Sequence, residues 1–152
     1  MFVKAYNEVM ADKERLIADT REVITLLTDT TALESKIQAC RSEIEILSGL
    51  VQKLIKEHAS SEEGQGEYDR KYSELNDHYD KAKEKLEVAE KEKVNKLVQA
   101  LQLNLFLSYL MKSDQVVDTW NEELWMFMIE KAVVQRDKTI DFFFKNGTVI
   151  RK

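Results

Sequence analysis

Apolar side chains recur along the chain in two heptad tracks separated by one polar stretch that contains glycine. On the first track they fall at Leu33, Ile37, Cys40, Ile44, Leu47, Val51 and Leu54. On the second they fall at Tyr68, Tyr72, Leu75, Tyr79, Ala82, Leu86 and Ala89, again in alternating steps of four and three. A 3.5-residue period keeps each set on one seam of a helix, and such a seam is buried against another helix. The stretch from His58 to Gly66 holds two glycines and can reverse the chain. The pattern predicts an antiparallel coiled-coil arm over residues 32–96, with its tip at about 59–66.

The flanking segments predict a base for that arm. Phe2, Tyr6, Val9, Leu16, Val23 and Leu27 are spaced for one amphipathic helix, a base helix within residues 1–31. Thr31 and Glu34 have the form of a capping box opening the next helix, which runs to about Ala59. Gly49 inside it costs about 1 kcal/mol relative to alanine. A third helix is predicted from near Glu67 to about Lys112. Its heptad phase is expected to slip where the frame meets Lys93 and Lys96, because the apolar residues there are Val94, Leu97, Val98 and Leu101. Base helices then occupy residues 97–131, the last opened by a capping box at Thr119 and Glu122.

Two extended runs follow, Ala132 to Gln135 and Thr139 to Phe144, joined by Arg136, Asp137 and Lys138. Asn146-Gly147 is a strong hairpin signal, since both residues readily take positive φ. A last strand, Thr148 to Arg151, completes a β-meander over 132–152. A meander this small needs something to pack on. Trp120, Trp125 and Phe142 to Phe144 are expected in its core, with one face short of cover. The fold class is therefore mainly α: a long antiparallel coiled-coil arm on a small helical base, with a short C-terminal β-hairpin or meander.

Composition narrows the function. The 152 residues include no proline and four glycines, and 34% are charged, a bias of exposed helix. Residues 131–152 carry net +4, which leaves −9 on the first 130 out of −5 overall. An acidic arm repels nucleic acid, whereas Lys131, Arg136, Lys138 and Lys145 in the tail are candidates for contacts with a DNA backbone. Cys40 is alone and on the seam, so neither a disulfide framework nor a paired-thiol motif is present, and the cytoplasm is the expected compartment. Met1 to Asn7 lacks the apolar core of a signal peptide, and the apolar stretch from Leu97 to Met111 is too short to span a bilayer. His58, His78 and Cys40 do not have the spacing of a zinc site. The carboxylates are interleaved with lysine on solvated faces. No catalytic residue, cofactor or metal site is expected.

Three stretches carry a resemblance to a known family. Phe2-Val-Lys-Ala-Tyr-Asn7, Glu67 to Asn76, and above all Trp120-Asn-Glu-Glu-Leu-Trp125 with Ile129 to Val134 and Ile140 to Thr148 resemble the C-terminal region of large serine recombinases of transposons and phages. The resemblance implies that the chain is a fragment without catalysis of its own. The parent's serine catalytic domain, recombinase DNA-binding domain and zinc ribbon are not in this sequence. It also implies that the arm contacts other recombinase subunits in synapsis and governs recombination direction, with a directionality protein as a further partner and DNA held by the parent's other domains. From the residues alone, a free-standing coiled-coil adaptor or oligomerisation protein unrelated to DNA stands as the alternative, and direct DNA binding by the basic hairpin as a third reading.

Overall fold

The structure, a computed structural model, describes residues 1–60, 64–113 and 116–152. It is mainly α, with a small antiparallel sheet at the C-terminal end. The helices are α1 (Phe2–Met10), α2 (Lys13–Thr28), α3 (Thr31–Ser60), α4 (Gln65–Lys112) and α5 (Glu122–Met128), followed by β1 (Ile129–Val134), β2 (Ile140–Phe144) and β3 (Val149–Arg151). The chain divides into two compact units: Thr30–Asn95, and Met1–Asp29 with Lys96–Lys152. Among the described residues no helix is long and apolar enough to cross a membrane.

The Thr30–Asn95 unit is an antiparallel helix pair. Three cross-helix contacts fix the direction: Lys93 Nζ to Glu34 Oε1 at 2.8 Å, Arg41 Nη2 to Glu90 Oε1 at 2.7 Å, and the His58 ring stacked on Tyr68 at 4.0 Å. The cap of α3 sits one residue earlier than the pattern suggests. Thr30 donates its hydroxyl to Glu34 Oε1 at 3.0 Å, and Glu34 N–H donates to the Thr30 carbonyl. Lys93 and Thr30 together hold the Glu34 carboxyl below the usual carboxylate range.

The other unit gathers α1, α2, the end of α4, α5 and the sheet around one apolar core. The first helix is not continuous. It breaks at Ala11, and Asp12 caps α2 by accepting a hydrogen bond from Arg15 N–H at 3.3 Å. The break lets α1 bury Phe2, Tyr6, Val9 and Met10 against Phe106, Leu110, Met128 and Phe144. Asn7 clamps the segment before α5, donating to the Val117 carbonyl at 2.9 Å and accepting from Val117 N–H at 3.0 Å. Asn121, not Thr119, caps α5, because its side-chain oxygen reaches Leu124 N–H at 3.2 Å.

The sheet has the order β1-β2-β3, with Ala132 opposite Phe142 and Phe142 opposite Ile150. Strand alternation sends Phe142 and Phe144 into the core, where Phe142 meets Trp125 edge-on at 6.2 Å. The core therefore covers that face. Trp120 is 57% exposed, resting on the ring of Phe2 at 5.2 Å. On the opposite face Asp141 is buried under Arg151, which donates from Nε at 2.6 Å and Nη2 at 2.9 Å, and Gln135 donates at 2.7 Å. Those bonds, Arg151 first, hold the Asp141 carboxyl below its usual range.

Both hairpin turns are built alike. Lys138 N–H donates to the Gln135 carbonyl and Gly147 N–H to the Phe144 carbonyl. Asp137 and Asn146 then each accept from the N–H two residues on, at Thr139 and Thr148. Only the last turn residue takes positive φ, 69° at Lys138 and 90° at Gly147. This is a three-residue turn with a left-handed closing position, so the two-residue turn expected at Asn146-Gly147 is not formed. The left-handed region favours glycine over lysine. Lys138→Gly is therefore expected to raise unfolding stability by about 0.5–1 kcal/mol and Gly147→Ala to lower it by about 1 kcal/mol, read by urea titration.

Asp141 sets an acid limit for the sheet. Its folded pKa lies below its unfolded value, so its stabilisation is complete above about pH 4–5 and is lost as pH falls through the folded pKa. The melting temperature of the unsubstituted chain should fall over that range. Asp141→Asn should melt lower at neutral pH and show a shallower acid slope; equal slopes would remove Asp141 as the cause.

Candidate interaction groove on the helical hairpin

The seam of the helix pair is asymmetric. On α3, Leu33, Ile37, Cys40, Leu47 and Leu54 are buried and Ile44 and Val51 half-buried. On α4, Ala82 and Ala89 are buried, while Tyr68, Leu75, Tyr79 and Leu86 are half-buried. Tyr72 is 40% exposed and Lys71 is the half-buried neighbour instead. A two-helix interface is too narrow to enclose large rings, so the tyrosines keep a polar tip in water. Cys40 is a buried free thiol.

The expected slip in the α4 frame does not occur. Lys93 and Lys96 are half-buried at seam positions, and the frame continues through buried Ala100, Leu103, Leu107 and Leu110. Lysine stems can line a seam while their ammonium groups reach water, which is how Lys93 meets Glu34. Val94, Leu97, Val98 and Leu101 consequently face outward.

A shallow groove of about 460 Å³ runs along one flank of the seam. Leu54 and Leu75 line its apolar part beside Leu50, with Lys53 and Glu57 of α3 and Lys71, Glu74 and His78 of α4 around them. The charges are held in local pairs, Lys53 with Glu57 at 3.7 Å, Lys71 with Glu67 at 3.3 Å, and Arg70 with Glu74 at 3.1 Å. Leu50 and Ile46, one turn apart, stay exposed off the seam. Leu50, Leu54 and Leu75 thus form an apolar strip edged by charges of both signs. The other flank carries a groove of about 550 Å³ with a more polar wall, lined by Arg41, Glu45, Gln52 and Tyr79 among others.

The tip lies partly outside the described residues, which exclude 61–63. At its edge His58 stacks on Tyr68, and its Nδ1 makes no hydrogen bond among the described residues. Among the described residues, no three His, Cys, Asp or Glu side chains converge as metal ligands.

The four basic residues of the C-terminal hairpin do not form one cluster. Lys131 Nζ lies 4.8 Å from the centre of the Phe143 ring, and Lys145 Nζ donates to the Met126 carbonyl. Arg136 and Lys138 are exposed in the β1–β2 turn with Asp137 between them. At about 3.3 Å per residue, Arg136 stands roughly 16 Å along the strand from Lys131.

The sequence pattern overlooked the flank groove. Its signal was present as Ile46 and Leu50, an apolar pair four residues apart that does not belong to the heptad track. Compared with known protein families, characterised proteins and solved structures, the chain gives no significant match in any of the three.

Gly49 tests how far the hairpin depends on helix propensity alone. An added Cβ there meets nothing within 4 Å. Gly49→Ala is therefore expected to stabilise the chain by about 1 kcal/mol in a denaturant titration, and no gain would show that Gly49 is held for another reason.

Proposed function

We propose that this chain is a protein-contact element of a site-specific DNA recombinase of the serine type, in which the α3–α4 hairpin joins recombinase subunits in synapsis and biases the direction of recombination. The observation that carries the contact role is the mixed-charge groove along the hairpin, with Leu50 and Ile46 exposed beside it. The recombinase class rests on the resemblance of residues 120–125, 129–134 and 140–148. The dispersal of Lys131, Arg136, Lys138 and Lys145 favours a protein partner over DNA for this region, and DNA is then held by other domains of the parent. Catalysis belongs to those domains as well.

Leu50→Glu changes an exposed side chain and should leave the helix pair folded. In a full-length recombinase carrying this region, it is expected to reduce recombination between paired sites at least about tenfold. Binding to a single site, measured by gel shift, should stay within about twofold. Equal losses in both assays would contradict the contact role, and unchanged recombination would point to the adaptor reading.

A further inference from the structure

Asn146-Gly147 is the one Asn-Gly pair in the chain, and it carries a chemistry that the turn does not need. The other five asparagines precede larger residues: Asn7 and Asn121 precede glutamate, Asn76 aspartate, Asn95 lysine and Asn104 leucine. An asparagine carboxamide is open to attack by the backbone nitrogen of the next residue, and a side chain on that residue obstructs the attack. Gly147 has no side chain to obstruct it. Asn76, Asn95 and Asn104 lie within α4, where the following N–H is held in the helix ladder.

The reaction balances with water as the only co-reactant. The Gly147 nitrogen gives its proton to solvent base and bonds to Asn146 Cγ. The Cγ–Nδ2 bond then breaks, and ammonia leaves with a proton returned from solvent. Water opens the five-membered imide in one of two ways. Opening at Cγ gives aspartate with the backbone restored; opening at the backbone carbonyl gives isoaspartate, with an extra carbon in the main chain.

The fold acts on the first step. In the closed turn Gly147 N–H donates to the Phe144 carbonyl at 2.9 Å, and Asn146 Oδ1 accepts from Thr148 N–H at 3.2 Å. The imide nitrogen carries no hydrogen, so the bond from Gly147 must be lost for the ring to close. The turn therefore has to open, and the free energy of that local opening sets the rate. The two products then differ in what they do to the turn. The β1–β2 turn already has aspartate at the matching place, where Asp137 Oδ1 accepts from Thr139 N–H at 3.1 Å. An aspartate product keeps the same bond to Thr148, whereas the lengthened isoaspartate backbone takes Gly147 out of line with Phe144. Either product sets a new carboxylate on the wall of a cleft of about 900 Å³, which Val23, Leu105, Phe127 and Lys145 also line.

We propose that Asn146 is a site of spontaneous modification, converted to aspartate and isoaspartate at a rate governed by opening of the β2–β3 turn. The inference stands apart from the recombinase reading.

Peptide mapping by mass spectrometry tests it on the purified chain, incubated at mildly alkaline pH with and without guanidinium chloride. Conversion is expected at Asn146 ahead of the other five asparagines, and at least about tenfold faster in denaturant than in buffer. Gly147→Val should lose most of the conversion in denaturant, where strain in the folded turn has no bearing. Asn146→Asp should melt within about 3 °C of the unsubstituted chain. Another asparagine converting first in denaturant, or Gly147→Val converting as fast as the wild type, would overturn the assignment of the site. Equal rates with and without denaturant would overturn control by the turn. A much lower melting temperature for Asn146→Asp would overturn the match with the Asp137 turn.

Discussion

The heptad frame of α4 is the constraint on which the rest depends. A single helix of 48 residues keeps its inward positions in steps of four and three from Tyr68 to Leu110. At about 1.5 Å per residue it is roughly 72 Å long, more than tertiary contacts with one partner helix of 30 residues can cover. The same frame therefore serves two burial environments. In the Thr30–Asn95 unit it meets α3 with alanine and tyrosine. In the other unit it supplies Leu103, Phe106, Leu107 and Leu110 to a compact core with α1, α5 and the sheet. Proline would break such a helix, and the chain contains none.

Keeping the frame has a cost and a consequence. The cost is that Lys93 and Lys96 must line the seam, where apolar side chains would bury more area. It is offset by the length of the lysine stem and by the Lys93–Glu34 pair. The consequence is that Val94, Val98, Leu101 and Leu105 are turned outward. The helix pair itself leaves a groove whose charges are already matched by neighbours four residues away.

The heptad tracks made the antiparallel pair legible, because Leu33, Ile37, Cys40, Leu47 and Leu54 obey a period that only a helix seam explains. The sheet was legible for a similar reason, since alternation in Ile140 to Phe144 and the glycine after Asn146 both act locally. The break at Ala11 was not, because Asp12 is an ordinary cap residue whose role depends on how α1 packs against Phe106 and Leu110. The half-buried state of Lys93 and Lys96 was likewise hidden. Hydropathy scores lysine by its charge, whereas the helix uses its stem. The expected slip followed the apolar residues, but the tertiary contacts followed the frame. The two hairpin turns share a pattern, Arg136-Asp-Lys-Thr139 and Lys145-Asn-Gly-Thr148, that becomes meaningful only once both are seen to close through a left-handed residue.

The most direct measurement compares two leucine truncations six residues apart on α4. Leu103 is buried in the frame and Leu97 lies outside it. In a urea titration, Leu103→Ala is expected to cost about 2–5 kcal/mol and Leu97→Ala less than about 1 kcal/mol. The opposite order, with Leu97 the costly position, would mean that the frame slips at Lys93, and a single heptad register for α4 would be wrong.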